Sequence, residues 1–224
     1  LISLIPRFYD VTEGKILVDG VNVKDYQLED LHNKIGYIPQ KAILFSGDIK
    51  SNLDFGQSNE SPLDDEKMWS ALDLAQAKSF VEEKEDGLHS EVAQSGTNFS
   101  GGQKQRLAIA RALARKPEIL IFDDSFSALD FKTDAQLRKE LRNETKDKTV
   151  LIVGQRINTI ADADKIIVLD EGKIVGQGCH NELMKSCEVY REIATSQLSD
   201  KELKAMSQSP TKSSSGVRKE AEND

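Results

Sequence analysis

Ser100-Gly101-Gly102 opens the run Gln103-Lys104-Gln105-Arg106, and the apolar run Ile119-Leu120-Ile121-Phe122 further on ends in two carboxylates, Asp123 and Asp124. Both patterns suit phosphate chemistry. Glycines remove the side chains that would keep backbone amides away from a phosphate. A helix starting there turns free N–H groups and the positive end of its dipole toward the anion. Ser100 adds a hydroxyl donor. Carboxylates at the end of a short strand are oxygen donors of the kind that hold magnesium beside a nucleotide. Taken alone, a Ser-Gly-Gly turn is an ordinary helix start, and Asp130 and Gln40 taken alone read as a helix cap and a surface amide. No G-x-x-x-x-G-K-[ST] phosphate loop occurs, since Gly14-Lys15 and Gly172-Lys173 both run into isoleucine. The chain begins at Leu1 and its first methionine is Met68, so the expectation is a chain that starts just past its own phosphate loop.

These residues need a rigid frame, and the hydrophobic pattern supplies one. Continuous apolar runs at 35–38, 119–122, 150–153, 166–169 and 174–175 alternate with helical segments, and the later ones suit a parallel sheet covered on both faces. A strand is also expected at 15–18 and a short helical pattern over 1–8. From 53 to 115 the pattern turns helical, clearest at 67–77 and 103–113, as a helical insertion between two sheet-forming halves would. A closing helix is expected over 182–193, and the Ser-rich run after it predicts a disordered tail at 199–224.

Composition narrows the classes further. With 30 Lys and Arg against 38 Asp and Glu the net charge is −8, which argues against a nucleic-acid partner. No apolar run approaches the ~20 residues needed to cross a bilayer. The two cysteines, Cys179 and Cys187, form neither a disulfide framework nor a metal pattern and read as free thiols.

The extended run from Ser100 to Leu113 closely resembles the signature motif of ATP-binding cassette (ABC) ATPases. Other stretches follow in that family's order. Gln40 resembles the Q-loop glutamine, Asp123 the Walker B aspartate, and Ser127-Ala128-Leu129-Asp130 the D-loop. The stretch Leu44-Phe45-Ser46-Gly47-Asp48-Ile49 is similar to exporter-type transporters. The resemblance covers residues 1 to about 197. It implies a RecA-like P-loop NTPase core, α/β with a mostly parallel sheet, built from residues 1–52 and 116–198, with an inserted helical signature subdomain at 53–115. It further implies ATP and Mg2+ as cofactors, membrane helices fused upstream, a place at the cytoplasmic face of the membrane, and a second nucleotide-binding domain as partner. In such a pair, Ser100, Gly101, Gly102 and Gln103, with Asp130, would contact the partner's nucleotide. Asp123 and Gln40 would serve the metal, and Asp124, Gln155 and Gln40 the hydrolytic water.

Two positions depart from the family pattern. Hydrolytic members carry glutamate after the Walker B aspartate, whereas Asp124 is a methylene shorter, a retreat of about 1.5 Å. The switch histidine would fall at Gln155, an uncharged amide that cannot shuttle a proton. His180, in a family-typical stretch after the last strand, reads as structural. Gln94 stands where exporters often carry an acid before the signature. The expectation is therefore the degenerate-site half of a heterodimeric exporter, one that binds ATP and turns it over slowly. The alternatives are a regulatory half with little turnover and an inert fragment. The transported substrate is not legible.

Overall fold

The computed structural model describes residues 1–56, 63–199 and 202, and the backbone forms two compact units, Leu1–Val153 and the chain from Gly154 onward. In the first, β1 (Leu17–Val18) and β2 (Val21–Asn22) make an antiparallel pair closed by Asp19-Gly20, both at positive φ (51° and 79°). That is the two-residue primed turn whose twist matches the strands it joins. Helix α1 (Leu28–Lys34) runs directly into β3 (Ile35–Ile38). After β4 (Gly47–Asp48) come α2 (Ile49–Asp54), α3 (Asp65–Leu74) and α4 (Lys78–Glu82), and then β5 (Glu91–Val92), which pairs antiparallel with β4. Helix α5 (Gly101–Ala114), β6 (Ile119–Asp123), α6 (Phe131–Glu144) and β7 (Thr149–Val153) complete the unit.

Strands β3, β6 and β7 form a parallel sheet with β6 in the middle, in a register that sets Tyr37 opposite Ile121 and Phe122 opposite Ile152. The strand alternation then divides the core in two. Ile38, Leu120 and Phe122 face a large cluster built with residues of α2 to α6, while Ile35, Ile119 and Ile121 face a smaller one with Val18, Val23 and Leu31. Burial on both faces is why β6 reads as an unbroken apolar run. Each side chain fully buried there contributes roughly 1.5–3 kcal/mol, which holds the carboxylates at the strand's end on a firm base.

The second unit has its own core of Ile157, Ile166, Val168, Leu183, Cys187 and Tyr190. It contains α7 (Ile157–Ile160), β8 (Ile166–Asp170), β9 (Lys173–Gly178), α8 (His180–Ser186) and α9 (Glu188–Gln197). Here two expectations need correction. Strands β8 and β9 pair antiparallel, not parallel, because Glu171 and Gly172 sit at φ 44° and 75° and close a tight two-residue turn. The closing helix is two helices. Cys187 takes extended angles (φ −120°, ψ 109°), buries its thiol against Gly176, and directs Sγ to the Val175 carbonyl at 3.8 Å. The residues around 1–8 form only a 3-10 turn, Ile2–Leu4. Apart from Ser199 and Glu202, the tail expected to be disordered lies outside the described residues. Among the described residues no helix is long and apolar enough to cross a membrane.

Candidate functional site

The carboxyl ends of parallel strands are where open α/β sheets place their ligands. Asp123 is the last residue of β6, the central strand, and Asp124 follows it at φ 48°, a left-handed conformation that an aspartate adopts at a cost of about 1–2 kcal/mol. The surrounding bonds fix that conformation. The Asp124 N–H donates to the Val153 carbonyl at 2.9 Å, and the Asp124 carbonyl accepts from the Ser127 hydroxyl at 2.7 Å. The turn breaks the strand alternation and separates the roles of two adjacent carboxylates. Asp123 stays on the face of Ile119 and Ile121, where Oδ2 accepts from the Tyr37 hydroxyl at 2.8 Å. Asp124 turns to Gln40, whose Nε2 donates to Oδ2 at 2.9 Å. The structure thus brings Gln40, Asp123 and Asp124 together.

Gln40 is exposed two residues past β3, but the backbone leading to it is pinned from two sides. The fully buried Ser125 hydroxyl donates to the Ile38 carbonyl at 2.8 Å, and the Gln105 side-chain amide donates to the Pro39 carbonyl at 3.1 Å. Gln105 is 1 % exposed on the inner face of α5. It ties the helix that begins with Ser-Gly-Gly to the loop that carries Gln40. A neighbour on that helix, Arg106, donates to the Gln76 carbonyl at 2.6 Å and lies over the Phe80 ring at 4.8 Å, and burial draws its guanidinium below its ordinary pKa.

Ser100 caps α5 in a reciprocal box. Its hydroxyl accepts from the Gln103 N–H at 3.2 Å, and its own N–H donates to Gln103 Oε1 at 2.9 Å. The first helical residues, Gly101 and Gly102, have N–H groups that no preceding turn can accept. A Cβ built on Gly101 would meet nothing within 4 Å, and one on Gly102 would meet only the Ala128 carbonyl at 3.5 Å, an ordinary contact. Among the described residues, neither positive φ nor packing requires either glycine. Glycine costs a helix interior up to about 1 kcal/mol relative to alanine, and no local contact at this helix start calls for it.

Asp130 caps α6, accepting from the N–H groups of Lys132 and Thr133 and from the Thr133 hydroxyl at 2.7 Å. Those bonds, the Thr133 N–H first, hold its carboxyl below the usual range. Gln155 is exposed in the second unit, where its carbonyl accepts from Gln197 Nε2 at 2.7 Å. His180 lies buried in that unit with Nδ1 2.8 Å from the Tyr190 hydroxyl. Burial pushes the imidazole below its ordinary pKa and the phenol up to about 12, as expected of a pair that serves the core.

Three site residues received no role in the motif reading: Tyr37, Gln105 and Ser125. Each left a trace in the sequence. Tyr37 is the one side chain with a polar tip in β3, Gln105 lies at helical spacing with the apolar Ala108, Ile109 and Ala112, and Ser125 directly follows the two carboxylates.

The ABC transporter family profile matches residues 1–127. The chain is 51 % identical over 197 residues to an uncharacterised ABC transporter ATP-binding protein of Mycobacterium tuberculosis, covering 88 % of this chain and 34 % of that protein. It is 41 % identical over 198 residues to a multidrug resistance ABC transporter ATP-binding and permease protein of Lactococcus lactis, covering 88 % and 33 %. A bacterial ABC exporter solved with ATP bound superposes with a TM-score of 0.81 at 35 % identity, over 86 % of this chain and 33 % of the other. The chain therefore spans about a third of the length of the relatives it matches. The α/β fold expected from the sequence, a P-loop NTPase core of the RecA type, is that of this neighbour.

Proposed function

The chain belongs to the ABC transporter family, and from that membership we propose that it is the ATP-binding domain of an exporter, one that couples ATP binding and hydrolysis at the cytoplasmic face of a membrane to transport by helices elsewhere in the full protein. Residues 1–52 with 116–198 form the nucleotide-binding core, and residues 53–115 form the signature-bearing helical subdomain. Its partner is a second nucleotide-binding domain, in a heterodimer where this chain supplies the degenerate site.

The observation that carries the reading is the open space at Gly101, at an exposed helix start where neither positive φ nor packing among the described residues calls for glycine. Ser100, Gly101, Gly102 and Gln103 would offer their N–H and hydroxyl donors to a phosphate brought by the partner. Asp130 would act at the same junction.

On the chain's own nucleotide the donor set fits Mg2+, which takes one or two carboxylates together with phosphate oxygens. Asp123 would hold the ion. Gln40 would reach it through Oε1, since Nε2 is committed to Asp124. The ion supplies charge neutralisation on the phosphates when bound. Asp124 would orient the attacking water from a position about one methylene too far back, and a misplacement of roughly 1 Å can cost ~10²-fold in rate. Gln155 would donate a hydrogen bond to the terminal phosphate without a charge to give it. Both changes spare binding and slow hydrolysis.

The test is Ser100→Arg in the complete transporter, followed by ATP turnover at the opposite site. Loss of that turnover is expected, because a bulky cation replaces the small hydroxyl at the start of α5. The cap itself accounts for about 1 kcal/mol of stability, too little to unfold a domain. Unchanged turnover would refute the trans role.

A further inference from the structure

We propose that Tyr37 is a positioning residue for Asp123: its hydroxyl occupies Oδ2 of the carboxylate and so leaves Oδ1 as the oxygen offered to a divalent cation. The inference rests on the reading of Asp123 as the metal-holding carboxylate and extends it to a residue that neither the motif nor the family match singles out.

The register of the sheet creates the contact. Tyr37 stands opposite Ile121 in the parallel pair of β3 and β6, and Asp123 lies two residues further along the same face, within reach of an aromatic side chain. The hydroxyl donates to Oδ2 at 2.8 Å. Among the described residues no hydrogen bond falls on Oδ1.

The tyrosine is held from two sides. Phe8 meets its ring edge-on, with centroids 5.2 Å apart and planes at 81°. The side chain also packs against the cluster of Val18, Leu31, Ile35 and Ile121. An ionised carboxylate has no hydrogen to give, so the Tyr37 hydroxyl is the donor in this bond. The ring and its packing would be equally well served by phenylalanine. What the oxygen adds is a fixed rotation of the Asp123 carboxylate. Ligands to metals depend on such outer partners, whose removal typically costs about 10–100-fold in metal affinity.

The experiment uses the complete transporter with the partner domain's own nucleotide site disabled. Mn2+ replaces Mg2+, and its binding in the presence of a non-hydrolysable ATP analogue is followed by electron paramagnetic resonance in the parent, Tyr37→Phe and Asp123→Asn. Nucleotide affinity without metal is measured on the same samples. Tyr37→Phe is expected to weaken Mn2+ by about 10–100-fold and to leave metal-free nucleotide binding and thermal stability unchanged. If Asp123→Asn loses Mn2+ and Tyr37→Phe keeps the parent's affinity, the positioning role is overturned while the reading of Asp123 stands. If Tyr37→Phe loses metal-free nucleotide binding or stability in equal measure, Tyr37 serves only the fold and the proposal is again overturned. If Asp123→Asn itself leaves Mn2+ binding intact, the reading of Asp123 fails and the role of Tyr37 fails with it.

Discussion

Gly101→Ala separates stability from function because the two are expected to move in opposite directions. Gly101 opens α5, and an alanine Cβ there would meet nothing within 4 Å, so the substitution neither clashes nor strains the backbone. Alanine is the better helix former by up to about 1 kcal/mol, and only part of that is realised in a first turn. For a domain of this size 1 kcal/mol corresponds to roughly 2–4 °C in Tm, so the variant should melt no lower than the parent and up to a few degrees higher. In the proposed trans site the same Cβ, projecting about 1.5 Å from the backbone, occupies the space through which a phosphate oxygen approaches the N–H donors. Losing one such preorganised donor costs on the order of 10²–10³ in kcat. The assay is ATP hydrolysis at the partner's site in the complete heterodimer, with thermal unfolding of the same preparation. Unimpaired hydrolysis would refute the idea that the glycine exists for a phosphate. A drop of several degrees in Tm would refute the premise that nothing inside the chain needs it.

Asp124→Glu combined with Gln155→His should raise slow-site turnover by something on the order of 10²-fold, read as single-turnover hydrolysis with the partner's own site inactivated; no gain would sink the degenerate-site reading. His180 supplies a pH signature. Its folded pKa lies below the ordinary 6.5 because burial disfavours the imidazolium. The unfolded chain therefore binds more protons than the native one in the window below about pH 6.5, and stability falls as pH drops through it. His180→Gln should flatten the decline in Tm between about pH 7 and pH 5, and an unchanged slope would show that another group titrates there.

The apolar runs of β3 and β6, buried on both faces, the run that forms the more exposed β7, and the helix that begins at Ser100 were legible from the residues alone. Local chemistry sufficed for these: the cap, the glycines and the hydrophobic period all point the same way over neighbouring residues. Gln40, Asp123 and Asp124 were legible as a set only through their resemblance to an ordered family of motifs, because nothing local makes an amide after a proline a partner for an aspartate that follows 84 residues later. Where two turn residues or a single buried thiol decided the path, pattern reading failed. The β8–β9 hairpin turns on Glu171 and Gly172, and the break between α8 and α9 turns on Cys187 packing against Gly176. Only the tertiary structure decided that Tyr37 reaches Asp123, that Asp124 turns away from its neighbour to meet Gln40, and that Gln105 and Ser125 pin the loop between them. Each of these contacts joins residues far apart in the chain, through the register of β3 on β6, the turn at Asp124 or the seat of α5 against the Gln40 loop, and the local sequence does not encode such distances.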